Sequence, residues 1–170
     1  AGPEVPIYIF NGESPLKMVV FCALTGTDGF FLESRKKLDH FDWNSLRGAS
    51  VLGWRPGSTP EFFLEYVMKQ HGIDPKSVDI ITNIGIPARI GAWETGTMPF
   101  GIFQEPEISQ ILEPAGYQIV ASDGKEVGRA DYTMFMATTT FLKAHPDIAQ
   151  AWTNAIAQAQ AWMTAQPAAA

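Results

Sequence analysis

The chain has 170 residues, of which 46% are hydrophobic and 18% charged, and its formal net charge is −6. This length is enough for one domain with a real core, or for two small lobes. The pI near 5.0 argues against non-specific binding to nucleic acid or to an anionic membrane, because both need a basic face. One local positive pocket remains compatible with this charge.

Simple sequence features exclude several other classes. Cys22 is the only cysteine, so no internal disulfide forms and no zinc-site spacing exists; a small buried hydrophobic residue is the favoured interpretation. No run of residues has the length of a transmembrane helix. The first ten residues lack the basic start and apolar centre of a signal peptide. We therefore expect that a targeting segment was removed or that the chain begins inside a longer one.

The first third of the chain predicts strands. Residues 6–10 (PIYIF), 17–24 (KMVVFCAL) and 30–34 (FFLES) are rich in β-branched and aromatic residues and are separated by the turns NGESP and TGTDG. A polar stretch containing FDWNSLRG follows.

From residue 50 the pattern becomes regular, with four strands that alternate with three helices. The strands are predicted at 50–54, 78–82, 100–103 and 117–121, and the helices at 60–71, 87–95 and 106–112. Each helix carries proline at its probable first position, where the missing N–H costs nothing. Glycines at positions 72 and 96 suit helix ends. This order predicts crossover units and a mainly parallel sheet covered by helices.

The end of the chain predicts a turn at SDGKEVGRAD, a strand at 132–137 and a long helix at 146–165, with a fraying alanine-rich tail. One face of the helix is apolar, which indicates either packing on its own domain, the favoured interpretation, or a partner surface. The residues of this face are Ile148, Trp152, Ala155, Ile156, Ala159, Trp162 and Met163.

Polar residues follow three of the predicted parallel strands. Ligands of open α/β sheets bind at the carboxyl ends of the strands. The residues selected by that rule are Arg55, Gly57, Ser58, Thr59, Asn83, Gln104 and Glu105. We expect them to converge on one edge of the sheet.

The stretch WRPGSTPE joins a predicted strand to a predicted helix, and two interpretations remain open. Free N–H groups at the helix start, with Arg55, would hold a carboxylate, sulfonate or phosphate. Alternatively Ser58 or Thr59 caps the helix, Glu61 satisfies its dipole, and Arg55 pairs with an acid. The local pattern alone favours capping. Glu105 is either an acceptor for a ligand or a partner of Arg55, and these are equally favoured.

No catalytic or metal-binding signature is present. His40, His71 and His145 are far apart, and no G-x-S-x-G, H-E-x-x-H or Cys/His pair occurs. The stretch after the first regular strand lacks the glycine and lysine spacing of a P-loop. The sequence therefore predicts no enzyme, no cofactor and no metal site.

The order of several short phrases resembles a known family. These phrases are L-R-G before a strand, G-S-T-P-E at a helix start, E-P before a helix, and F-L-K-A-H-P-D before the last helix. Together they resemble the substrate-binding proteins of ABC importers, in the nitrate/sulfonate/taurine and thiamine-precursor branch. The resemblance covers most of the chain from about Phe30 onward.

The resemblance implies an α/β fold of the type II periplasmic-binding-protein class, with two lobes and mainly parallel sheets. Residues 1–38 would form part of the first lobe and the first hinge strand, residues 39–128 the second lobe, and residues 129–170 the second hinge strand and a returning helix. Members of the family continue beyond both ends of this chain, so the first lobe is expected to be incomplete. In a fragment, the exposed surface of that lobe would drive association.

Carried over by position, the resemblance implies ligand contacts on both lobes. They are Ser58, Thr59, Asn83 and the stretch from Phe103 to Glu105, with Arg55 less firmly, and Glu4 and Tyr132 from the first-lobe side. Gly57 comes from the strand-end rule above. The expected solute is a small organic molecule, either a sulfonate, nitrate or carboxylate, or a pyrimidine-like compound.

The implied function is solute binding outside the cytoplasm, in the periplasm or on a membrane anchor, with delivery to an ABC permease. Two alternatives stay open. One is the effector-sensing domain of a transcription regulator with the same architecture. The other is an enzyme like those of thiamine-pyrimidine synthesis, which a lone Cys22 disfavours.

Overall fold

The computed structural model describes residues 1–166, which form two compact units. Within those residues, unit 1 comprises residues 1–26 and 131–166, and unit 2 comprises residues 27–130. The helices are α1 (Glu4–Asn11), α2 (Thr59–Gln70), α3 (Arg89–Thr95), α4 (Asp123–Val127), α5 (Thr139–Ala144) and α6 (Pro146–Ala165). The strands are β1 (Met18–Ala23), β2 (Phe30–Ser34), β3 (Ser50–Leu52), β4 (Asp79–Ile81), β5 (Phe100–Gln104), β6 (Gln118–Ser122) and β7 (Met134–Thr138).

Unit 2 is built on a five-stranded sheet in the order β4-β3-β5-β2-β6. β3 is parallel to β4 and to β5, whereas β2 is antiparallel to both β5 and β6. Four strands therefore run in one direction, as a mainly parallel sheet requires, and β2 alone runs in the other. The ends of β4, β3, β5 and β6 and the start of β2 share one edge, which we call the carboxyl edge.

The helix α2 packs through one apolar face. Leu64, Val67 and Met68 are almost completely buried, at the spacing of one side of a helix. The helix ends at Gln70, and Gly72 follows with a φ of 70°, a left-handed conformation that glycine adopts at low cost. This confirms the predicted helix and its glycine stop.

Two glycines of unit 2, Gly101 in β5 and Gly53 directly after β3, lie where a side chain would not fit. A Cβ at Gly101 would lie 2.8 Å from the Phe103 ring and 3.0 Å from that of Trp93, and both rings are fully buried. A Cβ at Gly53 would overlap Cγ2 of Ile80, a rigid β-branched side chain. Close packing of rings and strands in this unit therefore depends on glycine.

Unit 1 is built on the antiparallel pair β1–β7, whose register runs from Met18 opposite Thr138 to Ala23 opposite Met134. In the described part of this unit, Cys22 is the only buried hydrophobic residue. On α6, Trp152 packs edge-on against Phe135 at 5.1 Å, yet it remains half-exposed, and Trp162 is 65% exposed. The apolar face of α6 therefore packs on its own unit only in part.

Two details of the sequence prediction are wrong. Residues 6–10 belong to the helix α1, not to a strand; Pro3 and Pro6 lie at its start, where a fixed φ suits a helix and outweighs the β propensity of Ile and Tyr. The SDGKEVG turn contains the short helix α4, which Ser122 caps through Lys125 N at 3.3 Å. The strand β2 belongs to the sheet of unit 2, and the predicted lobe boundaries at 38/39 and 128/129 stay predictions.

Two further segments depart from expectation. The predicted helix at 106–112 contains a π-helical segment, Ile108–Leu112, and α5 was not predicted at all. Residues 167–170 of the predicted fraying tail lie outside the described residues. Among residues 1–166, no helix combines the length and apolar character needed to cross a bilayer.

We predict that Gly53→Ala destabilises the protein by about 1–3 kcal/mol, because the new methyl group overpacks the contact with Ile80. Gly91→Ala is the matched control: it adds the same methyl group in α3, where nothing lies within 4 Å of the new Cβ, and it gains helix propensity. Urea unfolding of both variants measures the difference. Equal stabilities would contradict the packing role of Gly53.

Candidate functional site

The sheet register aligns the ends of β3 and β4 with the second residue of β5. Leu52 of β3 lies opposite Ile81 of β4 and Gly101 of β5. The predicted site residues follow these positions, with Arg55–Thr59 after β3, Asn83 after β4 and Glu105 after β5. The structure therefore brings them to the carboxyl edge. Their contact with a ligand stays a prediction.

The turn into α2 shows how its polar groups are used. Ser58 is the N-cap residue, in an extended conformation, but its side chain makes no cap hydrogen bond; Ser58 Oγ donates instead to the Arg55 carbonyl at 2.5 Å. The carboxylate of Glu61 accepts from Gly57 N, and burial raises the pKa of Glu61 above its usual value. Thr59 is buried in the first turn. The turn is thus closed by its own side chains, while Ser58 leaves the helix N–H groups without a side-chain cap.

Arg55 is an exposed cation at this edge, in the turn after β3. Its guanidinium has neither a hydrogen bond nor an ion pair within the described part of the chain. The alternative pairing with Glu105 is absent, because the Glu105 carboxylate accepts from Ser109 N at 3.2 Å and from Ser109 Oγ. Asn83 is exposed in the loop after β4. Arg55 and Asn83 are therefore open to solvent at the carboxyl edge.

Three other predicted residues lie elsewhere. Phe103 has no exposed surface and packs against Trp93 with ring centroids 5.2 Å apart, so its side chain lies beneath the edge and not on it. Glu4 and Tyr132 belong to unit 1, where both are half-buried. Tyr132 N donates to the Thr25 carbonyl at 3.0 Å, at the start of β7.

Sequence reasoning missed Arg89, the first residue of α3. Its side chain is only 2% exposed, and its two terminal nitrogens donate to the carbonyls of Gly53 and Ile102, the latter at 2.6 Å. Gly53 directly follows β3 and Ile102 is the middle residue of β5, so each carbonyl comes one residue after an aligned position. A planar guanidinium fork therefore joins the two parallel strands at the carboxyl edge.

Two aromatic rings cover the buried guanidinium. Cζ of Arg89 lies 4.4 Å from the Trp54 ring centroid and 5.4 Å from that of Phe103, a cation–π arrangement. Burial lowers the pKa of Arg89 to about 10, and the charge of Glu107 opposes this. Arg89 thus keeps its positive charge at neutral pH. No carboxylate among residues 1–166 lies within ion-pair distance of it.

One signal in the sequence could have identified Arg89. A basic residue at a helix start opposes the helix dipole, and such local violations often mark a special structural or functional role. The segment Pro87-Ala88-Arg89 carries this signal directly after the loop of Asn83.

Metal binding finds no support in the described residues. They contain no group of three or more His, Cys, Asp or Glu side chains that could hold a metal ion. His71 stacks on Trp43 with centroids 5.1 Å apart, and its Nε2 lies 3.2 Å from Glu126. This histidine therefore has local structural partners.

Comparison with known proteins finds one matching family and a related protein. The model of the NMT1-like family matches residues 32–170. The chain is 39% identical over 163 residues to YtlA of Bacillus subtilis (strain 168), a protein named as a candidate binding protein, and it covers 49% of that protein. The chain thus spans about half the length of this relative.

Solved structures show the same fold at low sequence identity. The periplasmic aliphatic sulphonate binding protein SsuA of Escherichia coli superposes with a TM-score of 0.78 and 16% identity, over 98% of this chain and 55% of SsuA. The periplasmic nitrate-binding protein NrtA of Synechocystis PCC 6803 gives a TM-score of 0.73 and 18% identity, over 95% of this chain and 46% of NrtA. This confirms the periplasmic-binding-protein-like α/β fold.

We predict that Arg89→Met destabilises the protein by about 2–3 kcal/mol, because two buried carbonyls lose a charge-assisted donor. Arg89→Lys should recover little of this loss, since an ammonium group cannot reproduce the planar fork. Arg55→Gln is the control: it removes an exposed charge of the same edge and should change stability by less than about 0.5 kcal/mol. Urea unfolding is the measurement, and an unchanged stability of Arg89→Met would contradict the role of the fork.

Proposed function

Because the chain belongs to the NMT1-like family, we propose that it is the solute-binding component of an ABC importer. It binds a small organic solute outside the cytoplasm and presents it to a membrane permease, without transforming it. The motif order in the sequence and the fold shared with periplasmic binding proteins support this proposal.

One observation carries the proposal to specific residues. The carboxyl edge of unit 2 displays Arg55 and Asn83 toward solvent, beside the start of α2. Ligands of open α/β sheets bind at this edge. Because Arg55 has no ion pair within residues 1–166, a solute can contact it without first breaking one.

The charge distribution favours a solute with an anionic group. Arg55 offers a free guanidinium, and the 12-residue helix α2 begins beside it without a side-chain cap, so its dipole adds positive potential. Arg89 contributes a buried positive charge between the end of β3 and the middle of β5. We place the anion, either nitrate itself or the sulfonate or carboxylate group of an organic solute, near Arg55 and Ser58.

The rest of the solute would extend along the edge toward β5. Glu105 is exposed there and suits a hydroxyl or amine of the solute as an acceptor. Thr59 and Phe103 are buried. In this proposal they do not touch the solute but support the residues of the carboxyl edge from below. Glu4 and Tyr132 remain the residues proposed from unit 1.

We predict that the protein binds at least one member of a defined panel, namely nitrate, taurine, ethanesulfonate and a short carboxylate. Titration calorimetry on the purified protein measures binding, after native mass spectrometry has identified any co-purified solute. Arg55→Gln should weaken binding about tenfold or more, because a charge-assisted hydrogen bond is lost. The double variant Ser58→Ala with Thr59→Val should also weaken it.

Lys76→Gln provides the control for charge. It removes one positive charge at the start of β4, at the opposite end of the strand, and should leave affinity unchanged. Circular dichroism establishes that each variant is folded. Binding that is indifferent to Arg55 and to Ser58 would contradict the proposed site, and failure of every anion to bind would contradict the anionic solute.

A further inference from the structure

Two acidic residues lie at the carboxyl edge, apart from the residues proposed to bind solute. Asp28 precedes β2, and Asp123 is the first residue of α4, directly after β6. β2 and β6 are antiparallel neighbours, with Phe31 opposite Ser122, so the start of one lies beside the end of the other. Asp28 is 6% exposed and Asp123 is 0% exposed.

Close backbone packing holds this part of the unit together. A Cβ at Gly124 would overlap the Asp28 carbonyl oxygen and would lie 3.1 Å from the Asp28 carbonyl carbon and 3.4 Å from its nitrogen. The first turn of α4 therefore sits directly on the backbone of Asp28. Water has little access between the two segments, as the burial of both aspartates shows.

Three carboxyl oxygens of this pair have no partner. Oδ1 of Asp28 accepts from Phe30 N at 3.0 Å. Oδ2 of Asp28 and both side-chain oxygens of Asp123 are buried and make no hydrogen bond within residues 1–166. Native proteins leave few buried polar atoms in this state, and each case calls for a physical reason.

No cation of the packed elements compensates these groups. His71, at the end of α2, pairs with Glu126, and Lys69 pairs with Glu65, each at 3.2 Å; Lys125 of α4 is exposed. Besides the two aspartates, the charged or titratable groups of α2, of its C-cap His71, of α4 and of β2 are Glu61, Glu65, Tyr66, Lys69, His71, Lys125, Glu126 and Glu33. Two ionised carboxylates buried together without a cation are strongly unfavourable.

We propose that Asp28 and Asp123 form a proton-binding site, in which the pair retains one proton at neutral pH and thereby holds the first turn of α4 against the turn before β2. Loss of that proton leaves two buried negative charges, whose repulsion loosens α4. The two groups titrate as a coupled pair. The site is independent of the proposed solute contacts.

The raised pKa values of Asp28 and Asp123 determine how the stability of the folded protein changes with pH. Burial raises the pKa of Asp28 to about 6, and burial, then Asp28, then Glu126 raise that of Asp123 well above its usual value. The folded protein thus keeps protons that the unfolded chain releases near pH 3.8. The stabilisation is complete below about pH 4 and is lost as the pH rises through about 6 and above.

We predict that Asp123→Asn flattens the pH dependence of thermal stability. The melting temperature of the unchanged protein should fall by several degrees between pH 5 and pH 8, and that of Asp123→Asn should fall less and be the higher of the two at pH 8. Asp79→Asn is the matched control, because Asp79 is exposed in β4; it should follow the unchanged protein. Burial also raises the pKa of Glu33 to about 7. Glu33→Gln therefore measures how much Glu33 adds to the same loss of stability with rising pH.

Two direct measurements complete the test. Carboxyl carbon NMR should show one titration of the Asp28–Asp123 pair above pH 6, and amide exchange of residues 123–128, corrected for intrinsic rate, should be faster at pH 8 than at pH 5.5. Asp28→Asn replaces Asp123→Asn if the latter does not fold. Titration of both aspartates below pH 5, or parallel pH profiles of Asp123→Asn and Asp79→Asn, would overturn the proposal.

Discussion

The arrangement of unit 2 depends on one buried guanidinium. Arg89 joins the carbonyls of Gly53 and Ile102, and so fixes the end of β3 relative to the middle of β5. Removing this charge from water is costly, and the cost is offset by two charge-assisted hydrogen bonds and by the faces of Trp54 and Phe103. The turn that carries Arg55 begins directly after Gly53. The hydrogen bond from Arg89 to Gly53 therefore fixes where this turn starts.

The order of strands divides the carboxyl edge into regions of different charge. Arg55 follows β3, with the start of α2 beside it, whereas Glu105 follows β5 and Asp28 and Asp123 lie before β2 and after β6. Under the proposed function, the anionic end of a solute would be attracted to Arg55 and repelled by Glu105.

The sequence correctly predicted the features that depend on interactions among a few neighbouring residues. The stop of α2 at Gly72 and the position of Arg55 after a strand follow from rules that act over a few residues. Arg89 could not be assigned in the same way, because its hydrogen bonds reach strands 36 and 13 residues away. The strand predicted at residues 6–10 failed because two prolines outweighed β propensity. Phe103 was assigned to the site by the family resemblance, which matches position in the sequence and does not reveal that the side chain is buried.

The composition of unit 1 from two distant segments has a consequence for biosynthesis. Its strand pair joins Met18 to Thr138, so β1 waits for more than a hundred residues to be synthesised before its partner exists. Unit 2 is continuous in sequence and can fold while β1 is still unpaired. During that interval the apolar strand MVVFCA has two unpaired edges. The interval is lengthened because a long loop must close before β1 and β7 can pair. The period of greatest aggregation risk therefore falls after unit 2 has formed and before β7 emerges, when a chaperone that binds extended apolar segments would have most effect.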